Sequence, residues 1–448
     1  MTQKITLVDL RYPYGKPHLR LNGSLVSAAA VLHAQGHTVH WADANQDSRA
    51  TLERMIRSSD VVGVSAYGAP YIPVALAFAQ AWHHTGVPIV VGGQAAEALT
   101  QEQFAGVFAG TNARSSTDYW GEYDAPLLNP FCCSQRPIFH HVIPAYQLRE
   151  HFARELPLFV SQGCNKQCTF CAAAKARQET FVQPDVFRDT LDGILQMARG
   201  LGFTQLSFYA SSLDFFQNPK VIAQYLRIIS EVSRKTGVLV RLRCLSCMDS
   251  FLRASTKLPD FATLIRDAGL WSIGFGVDGA DESVWRRLKK YQNDIHDVAK
   301  CLDLCTALGI RPEVLLVMGF SADTPQSLWN NMKSAIHYVR RWRTVILRPY
   351  LAKELVPGNE AWLDSPSRAA HLVANPDQFF NLDFASIGSQ TTHPDRAHRL
   401  LSNLAYLSII AAFTPTGNCD TPPYLPQGEP GIYGLVARRF NALMPADK

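Results

Sequence analysis

The stretch Leu158-Phe159-Val160-Ser161-Gln162-Gly163-Cys164-Asn165-Lys166-Gln167-Cys168-Thr169-Phe170-Cys171 runs from a strand-like segment, Leu158–Ser161, directly into a loop with three thiols. A compact loop of this spacing can wrap three corners of a cubane iron–sulfur cluster, since thiolates are the soft ligands iron–sulfur sites take. No fourth cysteine is supplied nearby, so one iron would stay open to an exogenous ligand, as a catalytic metal site keeps a vacancy. Two blander readings compete. Cys164, Cys168 and Cys171 at i, i+4 and i+7 would share a helix face as small hydrophobes, but Ser161-Gln162-Gly163 and Asn165-Lys166-Gln167 favour a loop and offer no apolar face. A structural zinc site normally wants four protein ligands.

Downstream of this loop, strand-like runs recur at Gln205–Tyr209, Val238–Cys244, Trp271–Val277, Glu313–Met318 and Val345–Tyr350. Helix-periodic stretches near 185–202, 218–236, 259–269, 294–308 and 325–341 separate them. Strands joined through single helices pair in parallel, because each crossover returns the chain to the same end. Six strands with five helices between them predict a partial (α/β)6 barrel over 156–355, not a full eightfold one.

Upstream, residues 1–125 alternate in the same way, with strands at Ile5–Leu10, Thr38–Trp41, Val61–Ser65 and Val87–Val91 and helices such as Leu25–Gln35 and Val74–His84. This predicts a doubly wound, Rossmann-like parallel sheet, whose ligands sit at the carboxyl ends of its strands. The Pro-rich stretch 126–155 is expected to be a linker. Residues 356–448 are expected to form a mostly helical or irregular extension, with a buried helix near 395–413. The fold class is therefore α/β throughout, with a helical tail.

Cys-x3-Cys-x2-Cys with Phe170 before the third cysteine, after the first strand of an (α/β)6 pattern, resembles the radical S-adenosylmethionine (SAM) superfamily. In that family SAM chelates the open iron of a [4Fe-4S] cluster. One electron from the cluster cleaves the sulfonium, giving methionine and a 5′-deoxyadenosyl radical. The resemblance implies SAM contacts at Phe170, whose backbone would border the adenine. It extends to Ser211 and Ser212, which stand where many members carry Gly-Gly-Glu, and to Asp278 near the ribose or methionyl carboxylate. Gly319 and Arg348 end the fifth and sixth strands, where barrel-mouth residues face substrate or cofactor. Asp278 could equally cap a strand end, and Arg348 could equally be a structural ion-pair residue.

The first half lacks Gly-x-Gly-x-x-Gly after its first strand, so a pyrophosphate turn is not supported. Ahead of such a barrel it resembles the cobalamin-binding module of cobalamin-dependent radical SAM enzymes. Val64-Ser65-Ala66-Tyr67, Val90-Val91-Gly92-Gly93 and Asp118-Tyr119-Trp120-Gly121-Glu122 carry that likeness. The resemblance implies cobalamin contacts at Ser65, Tyr67, Gly92, Gly93, Gly121 and Glu122. Side chains at Gly92 and Gly93 would fill the slot for a bulky ligand; an ordinary strand-to-helix turn is the alternative. The Asp-x-His-x-x-Gly signature is missing, and His18 lies in the corresponding loop without matching surroundings.

The chain's 448 residues suggest two or three domains. With 47% hydrophobic and 18% charged residues, a large core is available and disorder is excluded as the general state. A net charge of +5 with no basic run of five gives no support for nucleic-acid binding. Met1–Leu7 is too short an apolar stretch for a signal peptide. The run Leu400–Phe413, broken by Ser402, Asn403 and Ser408, is too short for a membrane span. The ten cysteines are then expected to be reduced in a cytoplasmic protein. Cys419 sits in a turn-rich stretch that could fold over the barrel mouth.

These readings converge on a cobalamin-dependent radical SAM enzyme, expected to methylate an unactivated carbon of a small-molecule or peptide substrate. An electron donor such as flavodoxin or ferredoxin would serve it. The alternatives are ring formation, ring contraction or rearrangement without methyl transfer, and a non-catalytic iron–sulfur protein. A methylthiotransferase is disfavoured, because no cysteine precedes Cys132 to hold a second cluster.

Overall fold

A computed structural model describes residues 2–10, 21–120, 131–172, 179–382, 391 and 393–419. The first half forms a five-stranded sheet from β1 (Lys4–Asp9), β2 (Thr38–Asp43), β3 (Val61–Ser65), β4 (Ile89–Gly92) and β5 (Ala113–Ser115). Their order is β2-β1-β3-β4-β5, and every pair is parallel. The chain winds outward from β1 in one direction to β2 and in the other to β3, so a crevice opens above the carboxyl ends of β1 and β3. Strand β5, with the sequence Ala-Arg-Ser, has no apolar run to announce it and is the one strand of this sheet that the sequence pattern misses.

The second half contributes β6 (Glu155–Phe159), β7 (Ser161–Gln162), β8 (Thr180–Phe181), β9 (Gln205–Ser211), β10 (Leu239–Ser246), β11 (Leu270–Gly276), β12 (Arg311–Met318) and β13 (Ile346–Leu351). Six of these form one sheet in the order β13-β12-β11-β10-β9-β6, parallel throughout. Neighbours in the sheet are consecutive in this wound region, as an (α/β)6 partial barrel requires. Along β9 and β10 every second residue is fully buried under helices, and the residues between are only partly buried. That alternation separates a helix-covered face from a concave one.

Three expectations need correction. The first barrel strand begins at Glu155 and leaves the sheet after Phe159; Ser161–Gln162 instead pairs antiparallel with Thr180–Phe181. This small ribbon closes the base of the cysteine loop, because one strand precedes the loop and the other follows it. The expected linker is packed from Phe131 onward: Ile138, Phe139, Leu148 and Phe152 are at most 2% exposed. A π-helical turn, Ile138–Val142, and a short helix, Ala145–Phe152, carry them. They tie the halves together, with the Gln135 amide donating to Ser27 Oγ at 2.9 Å and Gln147 donating to both Asp47 oxygens at 3.1 and 3.0 Å. Helix Gly23–Ala34 joins the same core, and a Cβ on Gly23 would meet Pro157 of β6 at 3.0 Å.

The third correction concerns helix Arg396–Phe413. It buries Ala405, Tyr406 and Ile409 together with His398, Ser402 and Asn403. Leu400, Leu401 and Leu404 are 59, 43 and 46% exposed, so only one face is internal. The chain beyond it returns along the sheet edge: Leu347 N donates to Asn418 O at 2.7 Å, and Cys419 bridges Leu347 in parallel. Cys419 therefore extends the edge of β13. Among the described residues no helix is long and apolar enough to cross a membrane.

Candidate active site

The cysteine loop leaves the ribbon at Gln162 and is braced by a chain of hydrogen bonds. Ser161 Oγ donates to Glu179 at 2.9 Å and shares a hydrogen bond of 2.9 Å with Ser212 Oγ. Gln217 donates to Glu179 at 2.8 Å and accepts from Asn165 N at 3.0 Å. Burial pushes the Glu179 carboxyl up to about 7; the Ser161 and Gln217 bonds resist the rise, and the charge of Asp214 adds to it. Lys166 closes the outer side with a 2.8 Å ion pair to Asp249. The loop's backbone is thus fixed before any ligand arrives.

Within it, burial pushes the Cys164 thiol up to about 11; a backbone hydrogen bond from Lys166 lowers it, and the charges of Asp214, Cys171 and Cys168 raise it further. Asp214 is 1% exposed and accepts from Ser246 Oγ, Cys247 N and Ser250 Oγ. Deprotonating these thiols beside the buried Asp214 calls for a positive partner, and the irons of a cluster would supply it. The donor set therefore fits a cluster. Among the described residues no three such side chains converge on a single ion.

The other barrel residues separate into two groups. Ser211 and Ser212 close β9, and Gly319 follows β12 with φ +89°; a Cβ there would strike Thr391 at 2.3 Å. Phe170 packs on Phe320 at 5.1 Å, and its carbonyl accepts from Asn359 at 3.3 Å. All of these lie at the carboxyl edge of the sheet, with the cysteine loop. Asp278 is there too, but its carboxylate is paired with the buried Lys290 ammonium, and its φ is +49°. Arg348 lies lower in the strand and turns inward, its Nε donating to Glu313 at 3.0 Å.

Glu313 is the centre of an ion network on the concave face. Arg243 grips it with bonds of 2.6 and 2.7 Å, and Ser272 Oγ donates at 2.7 Å. Burial pushes this carboxyl up, but the Arg243 hydrogen bonds and the charges of Arg243 and Arg348 outweigh that and hold it at about 2. No local sequence pattern marks this network, because its four members come from four strands.

In the first sheet, Gly93 has φ +94°, and a Cβ there would lie 2.7 Å from Ser65 Oγ and 2.8 Å from the Ala66 carbonyl carbon. Only glycine suits that position. A Cβ on Gly92 would meet Ser116 Oγ at 3.1 Å. Glu97, which sequence reasoning did not single out, accepts from both Ser116 Oγ and Gly93 N. Ser65 Oγ is buried and has no hydrogen-bond partner among the described residues. Tyr67 is 44% exposed and stacks on Tyr71 at 4.4 Å. Gly121, Glu122 and His18 lie outside the described residues. Gly92 and Gly93 therefore let the end of β4 pack against Ser116, Ser65 and the Ala66 backbone, and the buried Ser65 hydroxyl beside them, at the carboxyl end of β3, is among the described residues the one feature there that could meet a ligand.

The segment after β13 joins the two regions. Asn359 donates to the carbonyls of Phe170 and Glu354, while Leu355, Trp362, Leu372 and Phe379 pack in one cluster with Ile72 and Ala75 of the first half.

Residues 158–335, the six-stranded sheet with its three-thiol loop, match the model of the Radical SAM superfamily. No curated protein sequence matches the chain. Among solved structures, the radical S-adenosylmethionine methyltransferase TsrM from Kitasatospora setae, with cobalamin and a [4Fe-4S] cluster bound, is similar at TM-score 0.61 and 15% identity. The match covers 82% of this chain and 78% of that one. A second TsrM structure, holding tryptophan and the SAM analogue aza-SAM, matches at 0.59 and 14% over 82% and 76%. The cobalamin-dependent S-adenosylmethionine radical enzyme OxsB, with aqua-cobalamin bound, matches at 0.56 and 17% over 85% of this chain and 56% of that. At these identities the likeness is one of fold.

Proposed function

We propose that this chain is a cobalamin-dependent radical SAM enzyme that moves a methyl group from S-adenosylmethionine to an unactivated carbon. The observation that carries the reading is the braced three-thiol loop at the carboxyl edge of the six-stranded sheet, on the same chain as an unpartnered buried Ser65 hydroxyl at the carboxyl end of β3. A methyltransferase of similar fold supports methyl transfer over other outcomes. When bound, the cluster would supply an electron, SAM the methyl group and the hydrogen-abstracting fragment, and cobalamin a methyl carrier.

The chain's own residues do the holding. Cys164, Cys168 and Cys171 hold the cluster, and Phe170 with the Ser211, Ser212 and Gly319 strand ends border SAM. Ser65, Tyr67, Gly92 and Gly93 hold the cobalamin tail, and Gly121 and Glu122, outside the described residues, are assigned to the same ligand. Asp278 and Arg348 act one step back: one fixes Lys290, and the other completes the network on Glu313. The stretch from Lys353 to Leu382 covers the junction and keeps water from the reacting groups. The substrate is a small molecule or peptide, and the electron comes from a flavodoxin- or ferredoxin-type donor.

The test is anaerobic turnover with reductant, cobalamin and methyl-labelled SAM against pools of small molecules and peptides. Labelled product with S-adenosylhomocysteine and 5′-deoxyadenosine is expected. Unlabelled product with 5′-deoxyadenosine would assign ring formation or rearrangement instead. Release of neither nucleoside, with both cofactors loaded, would sink the proposal.

A further inference from the structure

Next to the cysteine loop lies a short segment, Lys290-Tyr291-Gln292-Asn293, that sequence reasoning did not single out. It follows helix Glu282–Arg287 and is pinned at several points. Lys290 N donates to Trp285 O at 2.8 Å, and Asn293 Nδ2 donates to the carbonyls of Gly276 and Val277 at 3.1 and 3.0 Å. The buried Lys290 ammonium is paired with Asp278 and lies 5.9 Å from the Phe170 ring. From the other side, Thr169 N of the cysteine loop donates to Leu288 O at 3.1 Å. Segment and loop therefore hold a fixed relation, and in it the Gln292 amide donates to Cys168 Sγ at 3.5 Å.

We propose that Gln292 tunes the reduction potential of the cluster through its N–H···S bond to Cys168, with the Lys290–Asp278 pair acting as the clamp that aims it. The proposal rests on the reading of Cys164, Cys168 and Cys171 as cluster ligands. Reduction adds one electron and one negative charge to the cluster and its thiolates. A donor bond to a ligating sulfur strengthens as that charge grows, so it favours the reduced form and raises the potential. Gln292 is thus a positioning residue. It touches a ligand, not SAM or substrate.

The experiment is a redox titration of the anaerobically reconstituted full chain, followed by the electron paramagnetic resonance signal of the reduced cluster, with iron analysis of every sample. Gln292 is only partly buried, so Gln292→Leu removes the donor with little packing loss. It is expected to keep the wild-type iron content and to shift the one-electron equilibrium about tenfold toward the oxidised form, which is ~59 mV. Gln292→Glu, which sets a carboxylate against the sulfur, is expected to shift it further in the same direction. An unchanged potential in Gln292→Leu with iron retained would overturn the inference, and so would loss of iron in that variant, which would make Gln292 a structural brace. A wild-type chain that takes up no iron would instead overturn the cluster reading on which the inference stands.

Discussion

At the carboxyl ends of β3 and β4 the chain runs close on itself, with Gly93 at φ +94° against Ser65 and the Ala66 backbone, and it leaves the Ser65 hydroxyl with no described partner. On the concave face of the barrel it does the opposite, and Glu313, Arg243, Ser272 and Arg348 satisfy one another at 2.6–3.0 Å. Both regions are buried and polar. One is satisfied by its own side chains, and the other holds a hydroxyl with no partner among the described residues. A buried group left unsatisfied costs free energy, and one at the carboxyl end of a parallel strand stands where such sheets take ligands, whereas a satisfied network points to architecture.

Substitutions should sharpen that contrast. The largest effect is expected at Arg243→Met, which strips the main partner from Glu313 and should cost about 3–5 kcal/mol in chemical denaturation. A change near zero would show that the network is not structural. The same network sets an acid limit. Glu313 is held below its ordinary 4.5 at about 2, so its contribution is full above the ordinary value and is lost as pH falls through the lower one. Glu313→Gln is expected to flatten the acid side of the stability profile across that window.

Gly93→Val comes next. It places a Cβ within 3 Å of Ser65 Oγ and of backbone at Ala66 and Tyr67 in a left-handed conformation, at about 1–3 kcal/mol. It should also abolish cobalamin retention on gel filtration. Retention at the wild-type level would remove Gly93 from the cobalamin assignment. Ser65→Ala is the smallest and the most discriminating. It should leave stability within ~0.5 kcal/mol, because the hydroxyl has no described partner to lose. Cobalamin affinity should weaken roughly fivefold, about 1 kcal/mol, by equilibrium dialysis. A destabilised variant with unchanged affinity would reverse the assignment.

What could be seen in the sequence follows the range of the interactions. Strand and helix periodicities are local, so ten of the longer strands fell within a few residues of their places, whereas the three-residue β5 carried no pattern. The cysteine loop was legible because its ligands are consecutive in the chain. Asp278 and Arg348 were visible as strand-end charges, but their engagement was not. Lys290 lies twelve residues beyond Asp278 across a helix, and Glu313 meets Arg348 on the neighbouring strand, 35 residues further along the chain. Packing of Phe131–Phe152 was hidden by a π-helical turn that breaks the 3.6-residue period. Helix Arg396–Phe413 was recognised as a helix but not oriented, because its inward face carries His398, Ser402 and Asn403 while leucines face out.

The reading as a whole turns on whether Cys164, Cys168 and Cys171 bind iron. Iron and sulfide analysis of anaerobically reconstituted wild type, beside the variant with all three changed to alanine, addresses that without knowledge of the substrate. Wild type is expected to hold about four irons per chain and to change its absorption when SAM is added, while the variant holds none. Equal iron in both proteins would contradict the assignment of the loop.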